Sequence, residues 1–93
     1  MIVGIATVHL LIAGSQSLKE KRMVLEGLKD RLRSHYNISV AEVDGHEKWQ
    51  KAVLGLAAIG TEKSFVNGVL DKALNLVRDH RGVEITDYDL ELL

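Results

Sequence analysis

The residues able to bind something gather in two short stretches. Gly14-Ser15-Gln16-Ser17 runs into Leu18-Lys19-Glu20-Lys21-Arg22, and Lys48-Trp49-Gln50 lies farther along. The first stretch puts hydroxyls, backbone amides and three cations at a helix start, where unpaired N–H groups and the helix dipole favour an anion. The second sets an aromatic ring beside a cation and an amide, a grouping that stacks on a base while holding a phosphate. Ser15, Ser17, Lys19, Lys21, Arg22, Lys48, Trp49 and Gln50 are therefore the candidate contacts to RNA or another anion, with Glu42 and Asp44 placed to orient the cations. Each has a plainer alternative. Surface lysines are commonly just solvated, and a tryptophan at a strand start can close a core instead.

Catalytic chemistry finds less support. His9, His35, His46 and His80 show no HxH, HxxH or HExxH spacing, and Ser15 and Ser17 have no evident histidine and acid partners. There is no phosphate-loop or dinucleotide fingerprint. Asp44, His46 and Glu47 offer three ligand types in one loop, but such loops are more often simply solvated. The expectation is a non-enzymatic protein with no metal and no cofactor.

The element that must position these residues is a basic amphipathic helix over 15–37. Ser17 and Glu20 form an S-x-x-E capping box, in which Ser17 accepts from the Glu20 amide and Glu20 reaches back to the Ser17 amide. At about 100° per residue, Leu18, Val24, Leu25, Leu28, Leu32, His35 and Tyr36 share one arc. Lys19, Lys21 and Arg22 occupy the first two turns, where the dipole disfavours each cation by roughly 0.3–1 kcal/mol. Lys21 also falls within the apolar arc, so its stem is expected along the core edge with its ammonium snorkelling to a rim.

The rest of the chain alternates strand and helix patterns. Ile2 to Ile12 is almost continuously apolar and β-branched, the pattern of a strand covered on both faces. Ile38 to Val43 forms a second strand, Asp44-Gly45 a turn, and Trp49 to Ile59 a third strand. Thr61 is the expected cap of a second helix, Glu62 to about His80, burying Phe65, Val66, Val69, Leu70, Ala73, Leu76 and Val77, with Gly82 ending it. In the last strand, from Val83 to Leu92, the apolar parity slips near Thr86-Asp87, as a bulge would make it. Gly55, Gly60 and Gly68 fit strand crowding, a turn and helix packing. The order βαββαβ predicts an α+β, ferredoxin-like sandwich: a four-stranded antiparallel sheet, strands one and three central, both helices on one face. Ala6, Val8, Leu10, Leu54, Leu56 and the helix stripes are its predicted core.

At 93 residues, a single domain over 1–93 is expected, and 46% hydrophobic with 27% charged residues describes a globular chain. The absence of cysteine and of a basic leader or membrane-length segment makes the cytoplasm the expected location. A net charge of −1 gives no bulk attraction to polyanions, so distribution decides. The topology gathers Lys19, Lys21, Arg22, Lys48, Arg78 and Arg81 at one end, with His46 and Trp49 nearby. The last strand carries Glu84, Asp87, Asp89 and Glu91. The sheet face away from the helices would present Val3, Ile5, Leu11, Val53, Gly55, Ala57 and Ile59, which predicts a homodimer by sheet stacking or edge pairing. That face carries no aromatic residue, so a base-stacking platform like that of the RNA recognition motif is not expected.

Ser17-Leu18-Lys19-Glu20-Lys21-Arg22, Ala41-Glu42-Val43-Asp44, Trp49-Gln50 and Leu54-Gly55, with the Phe65–Val77 helix behind them, resemble the small bacterial YlxP-like family of unknown function. The resemblance spans nearly the whole chain. It implies a ferredoxin-like fold and genes placed among those for transcription and translation factors, including ribosome maturation factors; it implies no enzyme activity or cofactor. Where the family often has histidine-leucine-proline at the end of the first strand, this chain has Leu11-Ile12-Ala13, and no role passes to His9. The combined expectation is an accessory factor in translation or ribosome maturation that contacts RNA or a ribosomal protein. The alternative is a sensor of an anionic metabolite or a regulatory dimerisation module.

Overall fold

Two long apolar strands make the centre of the molecule, a computed structural model describing Met1–Leu93. Strands β1 (Ile2–Leu11) and β3 (Lys51–Gly60) pair antiparallel along their whole length, from Ile2 opposite Gly60 to Leu11 opposite Lys51. The short β2 (Ser39–Asp44) flanks β3 and β4 (Glu84–Leu92) flanks β1, giving the order β2-β3-β1-β4 in an antiparallel sheet. Helices α1 (Leu18–His35) and α2 (Lys63–Asp79) complete the βαββαβ order. This is the predicted ferredoxin-like α+β sandwich.

Pleating sorts the strands into two faces. Ala6, Val8 and Leu10 of β1 and Ala52, Leu54, Leu56 and Ala58 of β3 are buried under the helices. Leu25, Leu28 and Leu32 of α1 meet them, as do Val66, Leu70, Ala73, Leu74 and Val77 of α2. Each leucine or valine among them contributes about 1.5–3 kcal/mol by leaving water, and each alanine less. Two bulges keep this sorting intact. Thr86 is skipped between His9 opposite Asp87 and Leu10 opposite Ile85, so Ile85, Tyr88 and Leu90 all lie on the helix side despite their different parity. Val43 is skipped between Glu42 opposite Leu54 and Asp44 opposite Val53, and its side chain lies over Gly55. No helix is long and apolar enough to cross a membrane.

Several local expectations are corrected. Glu20 accepts from the Gln16 amide at 2.6 Å, not from that of Ser17, because the turn closed by the Ser15 N–H on the Ile12 carbonyl carries Gln16 over the helix start. Glu62, without a side-chain cap, replaces Thr61 at the start of α2, since β3 continues to Gly60 and both residues are used in turning. Phe65 is 61% exposed because the first turn of α2 overhangs the sheet edge at Gly60, and Leu74 fills the core instead. His35 is also exposed, in the last turn of α1. Gly68 has no atom within 4 Å of a would-be Cβ, so it serves no helix packing, whereas Gly4 does: a Cβ there would sit 2.5 Å from Val66 and 2.8 Å from Leu70. Gly45 and Gly82, at φ +79° and +93°, make the two turns that the sequence marks.

The helices meet where Arg31 Nη1 donates to His80 Nδ1 at 2.8 Å, with the imidazole lying against Gly27. Burial first, and the Arg31 charge second, hold the His80 pKa below its usual range, while the Val24 carbonyl opposes them weakly. The unfolded chain therefore takes up a proton more readily than the folded one. This part of the stability is complete above the ordinary histidine pKa of about 6.5 and is lost as the pH falls below it. A His80→Gln chain should lose less stability than the native one between about pH 7 and about pH 5 in urea titrations. In the same assay Gly4→Ala should cost about 1–3 kcal/mol by overpacking two immobile core side chains. Gly68→Ala should gain about 0.5–1 kcal/mol through reduced chain entropy.

Candidate nucleic-acid interface

The start of α1, the β2–β3 hairpin and the loop after β1 meet at one end of the sandwich, and one buried cation joins the first two. Lys21 is 1% exposed. Its Nζ donates to Glu42 Oε2 at 2.9 Å and to the carbonyls of Gly45 at 2.8 Å and Lys51 at 3.1 Å, with the His46 carbonyl at 3.5 Å. The ammonium thus finds an acceptor for each of its three protons and a carboxylate for its charge. The apolar arc of α1 forces Lys21 inward, and the bulge at Val43 and turn at Gly45 aim hairpin carbonyls at it. The expected snorkelling lysine is instead a tie between α1 and the hairpin, and it has no proton left for an outside phosphate.

Three other predicted contacts prove to be framework. Ser15 is buried, its hydroxyl donating to the Ser17 carbonyl at 3.0 Å, and Ser17 Oγ accepts the Glu20 amide at 3.1 Å. Gln50 Nε2 donates to the Ala13 and Ser15 carbonyls at 3.2 and 3.0 Å, while the Gln50 carbonyl accepts from the Ile12 amide at 2.8 Å. Small polar residues in a tight crossing satisfy the backbone around them before they can serve a ligand. The Glu20 carboxylate also turns back to the Gln16 amide, which sets a negative charge beside the start of α1. Of the orienting pair, Glu42 holds Lys21, but Asp44 accepts from the Gly45 amide at 2.8 Å and shapes the turn.

What projects from this braced end is Lys19, Arg22, Lys48 and Trp49, all exposed, with Trp49 at 54%. None of the three cations enters either ion pair of the molecule, which are Lys21–Glu42 and Lys29–Glu26. Trp49 is therefore a surface ring and not a core plug, because the hairpin tip extends past the last buried layer at Ala52. Lys51 stands beside Lys48 and Trp49 on the outer sheet face, a residue that counting charge along the loop passes over because it opens β3. Its parity, shared with Val53, was the signal that could have found it. Below the tip a shallow depression of about 420 Å³ is lined by both signs of charge, Lys48 and Lys51 against Asp44, beside His9 and Thr86.

Comparison with known proteins places the sequence. Residues 3–90 match the family described as "Protein of unknown function (DUF503)". Uncharacterized protein YlxP of Bacillus subtilis (strain 168) is 28% identical over 85 residues, covering 91% of this chain and 92% of that protein. Two de novo designed proteins share the fold alone. Foldit4 covers 100% of this chain and 97% of its own at a TM-score of 0.55 and 9% identity, and Ferredog-Diesel covers 96% and 83% at 0.50 and 13%.

The lysine tie makes a direct prediction. Glu42→Ala should cost about 3 kcal/mol in urea unfolding, because it leaves an ammonium buried without its counter-charge. Lys21→Met should cost about 1–3 kcal/mol by orphaning the hairpin carbonyls. Combined in one chain, the two changes should cost less than their sum.

Proposed function

The chain belongs to the DUF503 family, and within it we propose a non-enzymatic accessory factor in translation or ribosome maturation, a homodimer that contacts RNA through the braced end of the sandwich. The observation that carries this reading is an exposed Trp49 on a hairpin tip that Lys21 and Gln50 hold rigid, among three unpaired cations. A surface indole costs solvent exposure and contributes nothing to the core, yet it offers a stacking plane worth about 1–3 kcal/mol per base. Lys19, Arg22 and Lys48 supply phosphate contacts around it. Rigidity matters because a preformed site does not spend binding energy on ordering itself. The YlxP-like resemblance, with its gene neighbours, directs this RNA reading toward the ribosome. The serine hydroxyls are bound to backbone groups and touch no histidine, which fits binding rather than nucleophilic chemistry. The anionic-metabolite alternative is favoured less, since the Glu20 carboxylate puts a negative charge beside the start of α1 at this end.

Trp49 is the sole tryptophan, so its fluorescence reports on the site directly. Single-stranded ribosomal RNA fragments should quench it saturably. Three phosphate contacts give a log–log salt slope of roughly −2. Trp49→Ala should weaken binding by about 1–3 kcal/mol, and replacing Lys19, Arg22 and Lys48 by glutamine should flatten the slope toward zero. Absence of quenching at low salt, with the protein folded, would exclude the RNA reading.

A further inference from the structure

The outer face of the sheet has a charge pattern that bears on what covers it. Its centre is apolar, with Ile5 and Leu11 of β1 and Val53 and Ala57 of β3 half-exposed and Ile59 56% exposed. Along β4 the acids Glu84, Asp87, Asp89 and Glu91 stand on this same face, opposite Leu11, His9, Thr7 and Ile5. The cation of this face lies on the other side of β1: Lys51 at the head of β3. A polyanion is repelled by the acidic strand. A second copy is not, provided it is turned so that acid meets base.

We infer that two copies stack through these faces about a twofold axis parallel to the strands and passing between β1 and β3. Lys51, Leu11 and Glu84 form one row across β3, β1 and β4. The axis lays Lys51 over the partner's Leu11, beside the partner's Glu84, and does so twice. It lays β4 over the partner's β2, so that Asp89 and Glu91 cross the uncharged rows of Ala41 and Ser39. One like-charge approach results, Asp87 toward Asp44, and the Asp44 carboxylate is already turned to the Gly45 amide. The other face-to-face twofold, with its axis across the strands, sets β4 upon β4 and eight carboxylates together. Edge pairing of two β4 strands has the same fault. Strand spacings of about 4.8 Å and rises of about 3.3 Å give the face a projected area of roughly 600 Å². Two such faces reach the roughly 1,200 Å² at which specific interfaces begin.

The chosen axis keeps both hairpin tips at the same end of the dimer. On the RNA reading above, on which this consequence rests, the dimer presents two Trp49 rings and two sets of cations in one direction, as a bivalent surface.

Charge exchange tests the arrangement. Sedimentation equilibrium at micromolar concentration should give a dimer for the native chain. Glu84→Lys and Lys51→Glu should each raise the dissociation constant at least about tenfold, and the double exchange should restore it. Because the chain has no cysteine, Lys51→Cys with a bismaleimide spacer of about 11 Å adds a geometric test. The axis sets the two copies of position 51 one strand spacing and one sheet separation apart, about 11 Å, whereas an axis across the strands sends them to opposite ends of the sheets. The spacer should therefore yield a covalent dimer, with circular dichroism confirming that each variant is folded. A monomeric native chain overturns the inference and leaves the face to a different protein; so does a dimer indifferent to both charge exchanges, or one that fails to cross-link. A charge-dependent, cross-linkable dimer that binds no RNA upholds the geometry and removes only the RNA reading.

Discussion

A lysine buried to 1% exposure is the constraint from which the rest of this end of the molecule follows. An ammonium taken out of water costs several kcal/mol unless carboxylate and carbonyl groups surround it. Here they come from three places in the β2–β3 hairpin, at Glu42, Gly45 and Lys51, while the lysine itself comes from α1. Satisfying one charge therefore adds a polar tie between the helix and the hairpin to the apolar core that they share. The bulge at Val43 and the left-handed Gly45 are the backbone adjustments that aim those carbonyls inward.

Rigidity at the core side of the hairpin has a counterpart in freedom on the other. With Lys21, Glu42, Ser15 and Gln50 occupied by one another and by backbone groups, the side chains that remain free are those the fold does not need. Lys19, Arg22, Lys48 and Trp49 fall in that class. The division has an electrostatic logic: the buried cation is neutralised locally, so the outward potential of this end is set by the exposed cations, which lack carboxylate partners, together with the exposed Glu20, Asp44 and Glu47.

The sheet shows the same separation on a larger scale. Its helix side is apolar apart from the Lys21–Glu42 pair and closed by two helices, and its outer side is apolar only at the centre, with acids along β4. An outer face covered by a third layer would have no use for four carboxylates in a row, and a face meant for water would not carry Ile5, Leu11, Val53 and Ile59. The pattern suits a partner whose own surface carries both signs in fixed positions.

Architecture was legible from local signals. Apolar runs gave β1 and β3, the Ser17 cap and 3.6-residue periodicity gave α1, Gly45 and Gly82 gave the turns, and a parity slip gave the bulge at Thr86. These depend on neighbours within a few residues, or on which side of a strand a residue falls. The tertiary structure alone decided which polar residues are free. Lys21 and Lys19 are both lysines in the first turn of one helix, and only the arrival of Glu42 and two hairpin carbonyls from more than twenty positions away makes one a structural tie while the other stays in water. Ser15 and Gln50 are claimed by backbone groups in the same way. Trp49 is left outside because the hairpin outruns the core. Periodicity reports the face on which a side chain lies, but hydrogen-bond acceptors are brought to it by the folded chain.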